Sequence, residues 1–200
     1  MSLHLIYSGL TKYPLSLIDM DIAVETALNS NEEFIFFTEH ETLYSAGKSY
    51  EKVDFLQTPK HPVYYPNRGG RITVHSPGQL VIYPVINLIS RNLNIHDFIS
   101  ILELWIINSL KDFGIAGHTS DQGVGVWVDN AKIGFIGIHV THGISSHGLC
   151  VNVANDVSLF DIVVPCGLHN LSVGSISNFC LSVSFESVVK SFISYCPFSL

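Results

Sequence analysis

The spacing of apolar residues predicts three helices. Between residues 15 and 28, and again between 183 and 195, apolar side chains recur at mostly helical intervals. The clearest helix begins at Ile95 and keeps apolar residues three and four apart until Gly114, a residue type that commonly ends helices. We expect this helix to pack its apolar face on a sheet.

Short apolar runs predict the strands of that sheet. EEFIFFTEH is typical of a buried strand. In residues 63–89, apolar and polar residues alternate and are interrupted by Gly and Pro, which predicts strands joined by the loop RGGR. GVGVWVDNAKIGFIGIHV predicts a hairpin that turns at Asp129–Asn130, followed by a third strand in SSHGLCVNVAN. The combination of helices and strands places the chain in the α+β class.

Composition predicts one domain covering residues 1–200. A chain of 200 residues with 47% hydrophobic and 14% charged residues is long enough for one sizeable core and short for two. The most apolar run, Leu80 to Ile89, contains Pro84 and is too short to cross a bilayer, and the N terminus has no secretory-signal pattern. We therefore expect a soluble, cytoplasmic protein that does not bind membranes.

Charge and cysteine spacing exclude several kinds of site. The formal net charge is −7 and the ten Lys and Arg residues are scattered, which argues against a nucleic-acid partner. Cys150, Cys166, Cys180 and Cys196 form no CxxC or zinc-type pattern, so no metal site is predicted. RGGRITVHSPGQL lacks the spacing of nucleotide-binding loops.

Cys166 is the best candidate for a nucleophile. In IVVPCGL a β-branched run ends at Pro165 and is followed by Gly167, which places the thiol at the end of an element, where functional residues are often exposed. A small buried cysteine is the competing interpretation. A catalytic thiol needs a neighbouring cation or base. The candidates for that partner are Lys132, His75, His139, His142 and His147.

Lys132 stands out among these partners because of its setting. It follows a hairpin turn and precedes IGFIGI, which would draw its ammonium towards the buried sheet; a solvated lysine at the turn is the alternative. The glycines of RGGRITV would let a ligand lie against the backbone, with Ile72 and Val74 as walls of a tunnel for an aliphatic tail. Arg68 and Arg71 would lie at its mouth, unless each forms a surface ion pair.

Taken together, these segments resemble the lipoyl(octanoyl) transferases. The similarity runs through TEHETLYSAGKS, RGGRITVHSPGQLVIYPVINL, GVWVDNAKIGFIGIHV, SSHGLCVNV and IVVPCGL, which span most of residues 38–168. The separation of 34 residues between Lys132 and Cys166 is also like the family's. The resemblance implies a catalytic domain with a mixed β-sheet flanked by helices, as in lipoate and biotin protein ligases.

The resemblance also implies a reaction, the first step of endogenous protein lipoylation. Cys166 would attack the octanoyl thioester of acyl carrier protein, and a lysine of a lipoyl domain would resolve the acyl-enzyme. The acceptors would be 2-oxoacid dehydrogenases and the glycine cleavage H protein. Lys132 matches the family lysine that lowers the pKa of the thiol and shuttles protons. No ATP or other cofactor is implied, and we expect a monomer.

The matching segments would form the acyl pocket and the oxyanion hole. The sequence departs from the family at Ser76, more usually glycine, at the variable position Arg71, and at Cys150, commonly alanine, which leaves the preferred acyl length open. His147 and Asn152 are expected to hold strands together. The residues expected to bind substrate are Arg68, Gly69, Gly70, Arg71, Ile72, Thr73, Val74, His75, Phe135, Ile136, Gly137, Gly148, Leu149 and Cys150.

Three other functions stay open. An ATP-dependent lipoate or biotin ligase on this fold would not need Cys166, whereas an amidotransferase would use a cysteine acyl-enzyme to move acyl groups between protein domains. A non-catalytic carrier-protein or lipid-binding module would need neither Cys166 nor Lys132. Because the expected protein partners are commonly acidic and the chain is negative, we expect modest affinity for them unless Arg68, Arg71 and Lys48 cluster at the pocket mouth, which is our hypothesis.

Overall fold

Two β-sheets and four α-helices form the part of the chain that the computed structural model describes, residues 2–168 and 171–198. The strands are β1 (Ser2–Thr11), β2 (Glu32–His40), β3 (Leu43–Ala46), β4 (Val63–Tyr64), β5 (Ile72–His75), β6 (Gln79–Val85), β7 (His118–Ser120), β8 (Gly123–Val128), β9 (Ala131–Thr141), β10 (Ile144–Asn152) and β11 (Ser172–Val173). The helices are α1 (Tyr13–Asn29), α2 (Ile95–Leu110), α3 (Ile176–Phe179) and α4 (Phe185–Ser194).

The larger sheet is mixed and the smaller one caps part of it. The order of the larger sheet is β1-β2-β6-β10-β9-β8-β7, with β11 beside β9. The β1–β2 and β11–β9 pairs are parallel, and the other pairs are antiparallel. The smaller sheet has the order β4-β3-β5. The predicted α+β class, with a mixed sheet flanked by helices, is therefore confirmed.

The two faces of the larger sheet have different partners. One face packs on α2 and α4, where the Nε1 of Trp105 donates a hydrogen bond of 2.8 Å to the carbonyl of Phe192. The other face packs on α1 and the smaller sheet, through residues such as Met20 of α1, Val74 of β5 and Val81 of β6. Neighbouring residues along a strand point to opposite faces of the sheet. Because both sets include apolar residues, both faces of the sheet are apolar.

Most predicted elements are present. The three helices appear as α1, α2 and α4, and Gly114 closes the turn after α2 with a left-handed φ of 69°. The hairpin β8–β9 turns at Asp129–Asn130, and β10 is its third strand. The RGGR loop lies between β4 and β5, but these strands do not pair, since β3 lies between them. Among the described helices, none is long and apolar enough to span a membrane.

Three histidines are buried between the two sheets, and each shares a hydrogen bond with a neighbouring side chain. The contacts are His40 Nε2 to the Tyr83 hydroxyl (2.8 Å), His75 Nδ1 to Gln79 Oε1 (2.7 Å) and His147 Nε2 to Asn67 Oδ1 (2.9 Å). Burial is the largest cause of their low pKa values, because a charged imidazole would lose its hydration. The pKa of His40 falls to about 4, and those of His75 and His147 fall to about 3.

A buried ion pair joins β2 to the segment before α2. Glu33, with a side chain only 1% exposed, accepts two hydrogen bonds of 3.0 Å from Arg91 Nε and one of 2.6 Å from its Nη2. The same carboxylate accepts from the backbone N–H of Asn87, and Arg91 also donates to the carbonyl of Phe198. This pair therefore connects three separate parts of the chain.

The ion pair predicts a large effect of removing its acid. Glu33→Ala leaves the Arg91 guanidinium, whose side chain is only 17% exposed, without its carboxylate, so the free energy of unfolding should fall by about 3 kcal/mol. Urea unfolding followed by circular dichroism measures this. The matched control is Glu186→Ala, which breaks the exposed pair with Lys190 and should leave the midpoint unchanged; equal midpoints for the two variants would contradict the prediction.

The buried histidines predict loss of stability in mild acid. Their folded pKa values lie below the unfolded value of about 6.5, so the unfolded chain binds more protons as the pH falls. The free energy of unfolding that the neutral histidines contribute is complete above pH 6.5 and is lost as the pH falls towards their folded pKa values of about 4 and 3. By pH 5 the loss is about 1–2 kcal/mol for each histidine.

Urea unfolding at pH 7 and pH 5 tests this with His147→Asn. Asparagine tolerates the left-handed backbone at this position, where φ is 56°, and it does not titrate. The variant should lose about 1–2 kcal/mol less than the wild type between the two pH values. Identical losses would mean that His147 does not stay neutral in the folded protein.

Candidate active site

A β-bulge in β9 directs Lys132 into the space between the sheets. The register between β8 and β9 shifts beside Lys132, which leaves Ile133 as an extra residue. Residues three apart in a regular strand point to opposite faces. Because of the bulge, Lys132 and Phe135 lie on the same side, and the Lys132 Nζ is 5.3 Å from the centre of the Phe135 ring.

The ammonium of Lys132 is buried. Lys132 is 0% exposed, and its Nζ donates a hydrogen bond of 2.7 Å to the carbonyl of Val124. Nζ also lies 4.4 Å from the centre of the Trp127 ring, the cross-strand neighbour of Lys132. Aromatic faces attract cations more strongly when water is excluded. The predicted inward position of Lys132 is confirmed, and a solvated lysine at the turn is wrong.

Cys166 lies in a 3-10 turn, Pro165–Gly167, at the end of an extended segment. Its side chain lies outside the part of the chain that the structure describes, so its role as nucleophile stays a prediction. The backbone before the turn is fixed by a hydrogen bond of 2.8 Å from the N–H of Val164 to the carbonyl of Asp54. After the turn the chain returns to β9, where Val173 of β11 pairs with Lys132.

Gly167 brings the same turn against Arg71. Its φ is 72°, in the left-handed region that favours glycine, and a Cβ there would lie 2.6 Å from the Arg71 Nη1. Arg71 lines a pocket between the two sheets, and so does Phe135, whose ring contacts the ammonium of Lys132. The turn that contains Cys166 thus lies next to the wall residue Arg71, and Lys132 lies next to the wall residue Phe135.

This pocket has about 510 Å³ of empty space, its open mouth included. The structure places these residues of the predicted set in its wall: Arg68, Gly70, Arg71, Ile72, Thr73, His75, Phe135, Ile136, Gly137, Gly148, Leu149 and Cys150.

Gly69 and Val74 were predicted in the pocket wall but are not part of it. Val74 shares a face of β5 with the wall residue Ile72, but it is 1% exposed and packs in the core between the sheets. Gly69 joins the loop to β9 through a hydrogen bond of 2.8 Å from its N–H to the carbonyl of Ile138. Both residues therefore support the wall from outside.

The expected cluster of cations at the mouth is wrong for Arg68. This residue is 7% exposed, and its guanidinium donates to the hydroxyl and the carbonyl of Ser45 on β3. Arg71 is more exposed, but its Nη2 lies 2.7 Å from the buried carboxylate of Asp54. Lys48 is exposed. Arg68 is thus a structural wall residue, and the charge of Arg71 is offset by Asp54.

Sequence reasoning missed four wall residues, Tyr13, Val81, Tyr83 and His147. Val81 and Tyr83 share a face of β6, and this alternation was a usable signal once the pocket face was known. Burial raises the pKa of both tyrosines, so their hydroxyls stay protonated. His147 was considered as a partner of the thiol and was then expected to hold strands together, but not to line the pocket. Tyr13 comes from the start of α1, far along the chain, and had no local signal.

The wall also carries polar atoms whose bonding is incomplete. Thr73 Oγ1 and His147 Nδ1 are buried without a hydrogen-bond partner among the described atoms. Buried polar atoms are usually paired, so these two are suited to bind polar ligand atoms. Within the described ranges, no group of three or more His, Cys, Asp or Glu side chains is placed to hold a metal ion.

Hydrogen bonds beside the pocket fix the tautomer of His75. The Nδ2 of Asn152 donates to the carbonyl of Gly174, so its Oδ1 accepts from the Nε2 of Gln79 at 2.9 Å. The Oε1 of Gln79 then accepts from Nδ1–H of His75, which leaves His75 Nε2 as an acceptor. Asn152 thereby joins β10 to the segment after β11, in keeping with its predicted role.

Comparison with known proteins agrees with this geometry. Residues 16–196 match the model of the lipoyl protein ligase A/B catalytic domain. An octanoyltransferase of Rickettsia canadensis (strain McKiel) is 38% identical over 190 residues, 91% of each chain. An octanoyltransferase of Neorickettsia sennetsu (strain ATCC VR-367 / Miyayama) is 39% identical over 170 residues, which cover 82% of this chain and 81% of the relative.

Solved structures share the fold at low sequence identity. A lipoate-protein ligase A bound with ATP matches with a TM-score of 0.79 and 15% identity, over 98% of this chain and 84% of that one. Biotin protein ligase from Aquifex aeolicus matches with a TM-score of 0.54 and 10% identity, over 98% of this chain and 67% of that one. From the match over residues 16–196, the chain belongs to the lipoyl protein ligase A/B catalytic domain family.

Proposed function

We propose that this enzyme transfers an octanoyl group from octanoyl-acyl carrier protein to the lysine of a lipoyl domain, through a thioester on Cys166. The observation that carries the proposal is that the ammonium of Lys132 is buried beside a pocket with apolar walls. Arg71, another residue of that wall, contacts the turn that contains Cys166. Relatives named octanoyltransferase, at 38% and 39% identity, support the same reaction.

The first step is exchange of one thioester for another. The Cys166 thiolate attacks the octanoyl carbonyl, the bond to the carrier sulfur breaks, and the departing thiolate takes a proton from the Lys132 ammonium. Two thioesters have similar free energies, so no ATP is required. The carbonyl of Val124 and the faces of Trp127 and Phe135 stabilise the ammonium that would pair with the thiolate.

The second step forms the amide. The amine of the acceptor lysine attacks the acyl-enzyme carbonyl, the C–S bond breaks, and neutral Lys132 takes the amine proton, which restores the thiolate–ammonium pair. Conversion of a thioester to an amide is downhill.

The pocket suits a medium-length acyl chain with a polar head. Ile72, Val81, Phe135 and Leu149 supply apolar wall area. The backbone N–H groups of the glycine-containing segments are candidates for the oxyanion hole. An adenylating ligase and an amidotransferase are the alternatives, since a lipoate-protein ligase bound with ATP has the same fold.

Intact-protein mass spectrometry tests the acyl-enzyme. The protein is mixed with octanoyl-acyl carrier protein without ATP, as wild type, Cys166→Ser, Cys150→Ser and Lys132→Ala. Wild type and Cys150→Ser should gain one octanoyl group, Cys166→Ser should gain none, and Lys132→Ala should react at least about 100-fold more slowly, within the range of acid–base contributions.

Cys150→Ser is the control for the thiol that the structure places in the pocket wall. An adduct that disappears with Cys150→Ser would move the nucleophile to that residue. Acylation of a lipoyl domain only with ATP and free octanoate would replace the transferase by a ligase. A donor lipoyl domain that acylates the enzyme faster than the carrier protein does would indicate the amidotransferase.

Cys150 also predicts control of acyl length. It is 3% exposed and lies on β10 between Val81 of β6 and Phe135 of β9, so a larger side chain fills the pocket. Cys150→Leu should lower the ratio of kcat/KM for octanoyl over hexanoyl donors by about tenfold or more. Cys150→Ala, which removes bulk, should keep the octanoyl preference. Equal ratios in all three proteins would show that this wall does not measure chain length.

A further inference from the structure

We propose that Glu103 of α2 is a positioning residue for Lys132 and acts through the peptide bond between Val124 and Gly125. The inference rests on the function proposed for Lys132. Glu103 does not belong to the pocket wall, and it lies in a helix that otherwise presents its apolar face to the sheet.

One peptide unit joins the two side chains. The N–H of Gly125 donates a hydrogen bond of 2.9 Å to the Glu103 Oε1, and the carbonyl of Val124 accepts one of 2.7 Å from the Lys132 Nζ. The N–H and C=O of a trans peptide point in opposite directions. Glu103 and Lys132 therefore hold the same peptide from its two ends.

The layers of the fold agree with this arrangement. The helix α2 packs on the face of the sheet that carries Val126 and Ile133. Lys132 points to the other face, where its ammonium contacts Phe135. The Val124–Gly125 peptide thus connects a carboxylate on the helix side to an ammonium on the pocket side.

The peptide needs an anchor because its own backbone constrains it weakly. Val124 lies between two glycines, Gly123 with a φ of 141° and Gly125 with a φ of 137°. The ladder between β8 and β9 includes the pair Val126 with Gly134 but not residue 125. Because glycine has wide conformational freedom, the backbone on both sides of Val124 is weakly constrained. The Glu103 bond restricts the rotation that would turn the Val124 carbonyl away from Lys132.

Glycine is also required at position 125 by Lys132 itself. A Cβ on Gly125 would lie 2.7 Å from the Lys132 Cε and 2.4 Å from the carbonyl oxygen of Gly134. No ordinary side chain fits there, so the backbone cannot be fixed by packing of residue 125. A hydrogen bond from outside the strand can hold it instead, and Glu103 makes that bond.

Charge makes a carboxylate better than a neutral acceptor at this place. A hydrogen bond from a backbone N–H to a carboxylate is stronger than one to an amide, and it polarises the peptide. The polarised carbonyl then carries more negative charge towards the Lys132 ammonium. Glu103 therefore both orients the carbonyl and strengthens its attraction for the ammonium that supports the thiolate.

The test compares Glu103→Ala and Glu103→Gln with the control Glu186→Ala. Three quantities are measured: the rate of Cys166 alkylation by iodoacetamide at pH 7, followed by peptide mass mapping; kcat and KM for octanoyl transfer; and the urea midpoint. We expect Glu103→Ala to lower alkylation and kcat about tenfold with KM unchanged, as for loss of a hydrogen bond to a charged group.

The conservative variant separates an effect of the hydrogen bond to Gly125 from a general loss of stability. Glu103→Gln keeps an acceptor oxygen for the Gly125 N–H and should recover most of the lost rate, while Glu186→Ala should match the wild type. Wild-type alkylation and kcat in Glu103→Ala would overturn the proposal. So would a loss that Gln does not rescue and that follows the urea midpoint. Alkylation needs no acyl donor, so it still tests Glu103 if octanoyl transfer itself fails.

Discussion

Burial of the Lys132 ammonium is the constraint on which the site depends. A charged group in the interior loses several kcal/mol of hydration unless hydrogen bonds and opposite charge replace it. Here a backbone carbonyl and the faces of Trp127 and Phe135 contribute, all from β8 and β9. The hairpin, its bulge at Ile133 and the glycine at 125 must therefore form together. A change in any of them displaces the same cation.

Polar contacts surround the space beside this cation. Arg68 of the loop donates to Ser45 of β3, and the neutral histidines His75 and His147 pair with amide side chains instead of with charges. Apolar packing alone would close such a gap. The inter-sheet layer is thus polar where it supports the fold and apolar where Ile72 and Phe135 face the pocket.

Sequence patterns predicted the elements better than their arrangement. Helical spacing placed α2 almost to its ends, and Asp129–Asn130 gave the hairpin, since both signals are local. The edge strand β1 was missed because its apolar residues do not alternate with polar ones. For the site, strand alternation does not separate Val74 from the wall residue Ile72, because both lie on the same face of β5 and only their packing differs. Tyr13 and the burial of Arg68 depend on contacts between distant segments, which a single sequence does not reveal.

One environment serves both binding and chemistry in this fold. Walls that exclude water would favour an aliphatic chain, and the same exclusion strengthens the attraction between a thiolate and an ammonium. Such a pair is easily lost if the cation moves, because a long lysine side chain has many rotamers. Contacts at Nζ from Val124 and at the flanking rings remove that freedom. Under the proposed mechanism, in which no ATP activates the acyl group, rigidity around Lys132 is therefore a requirement.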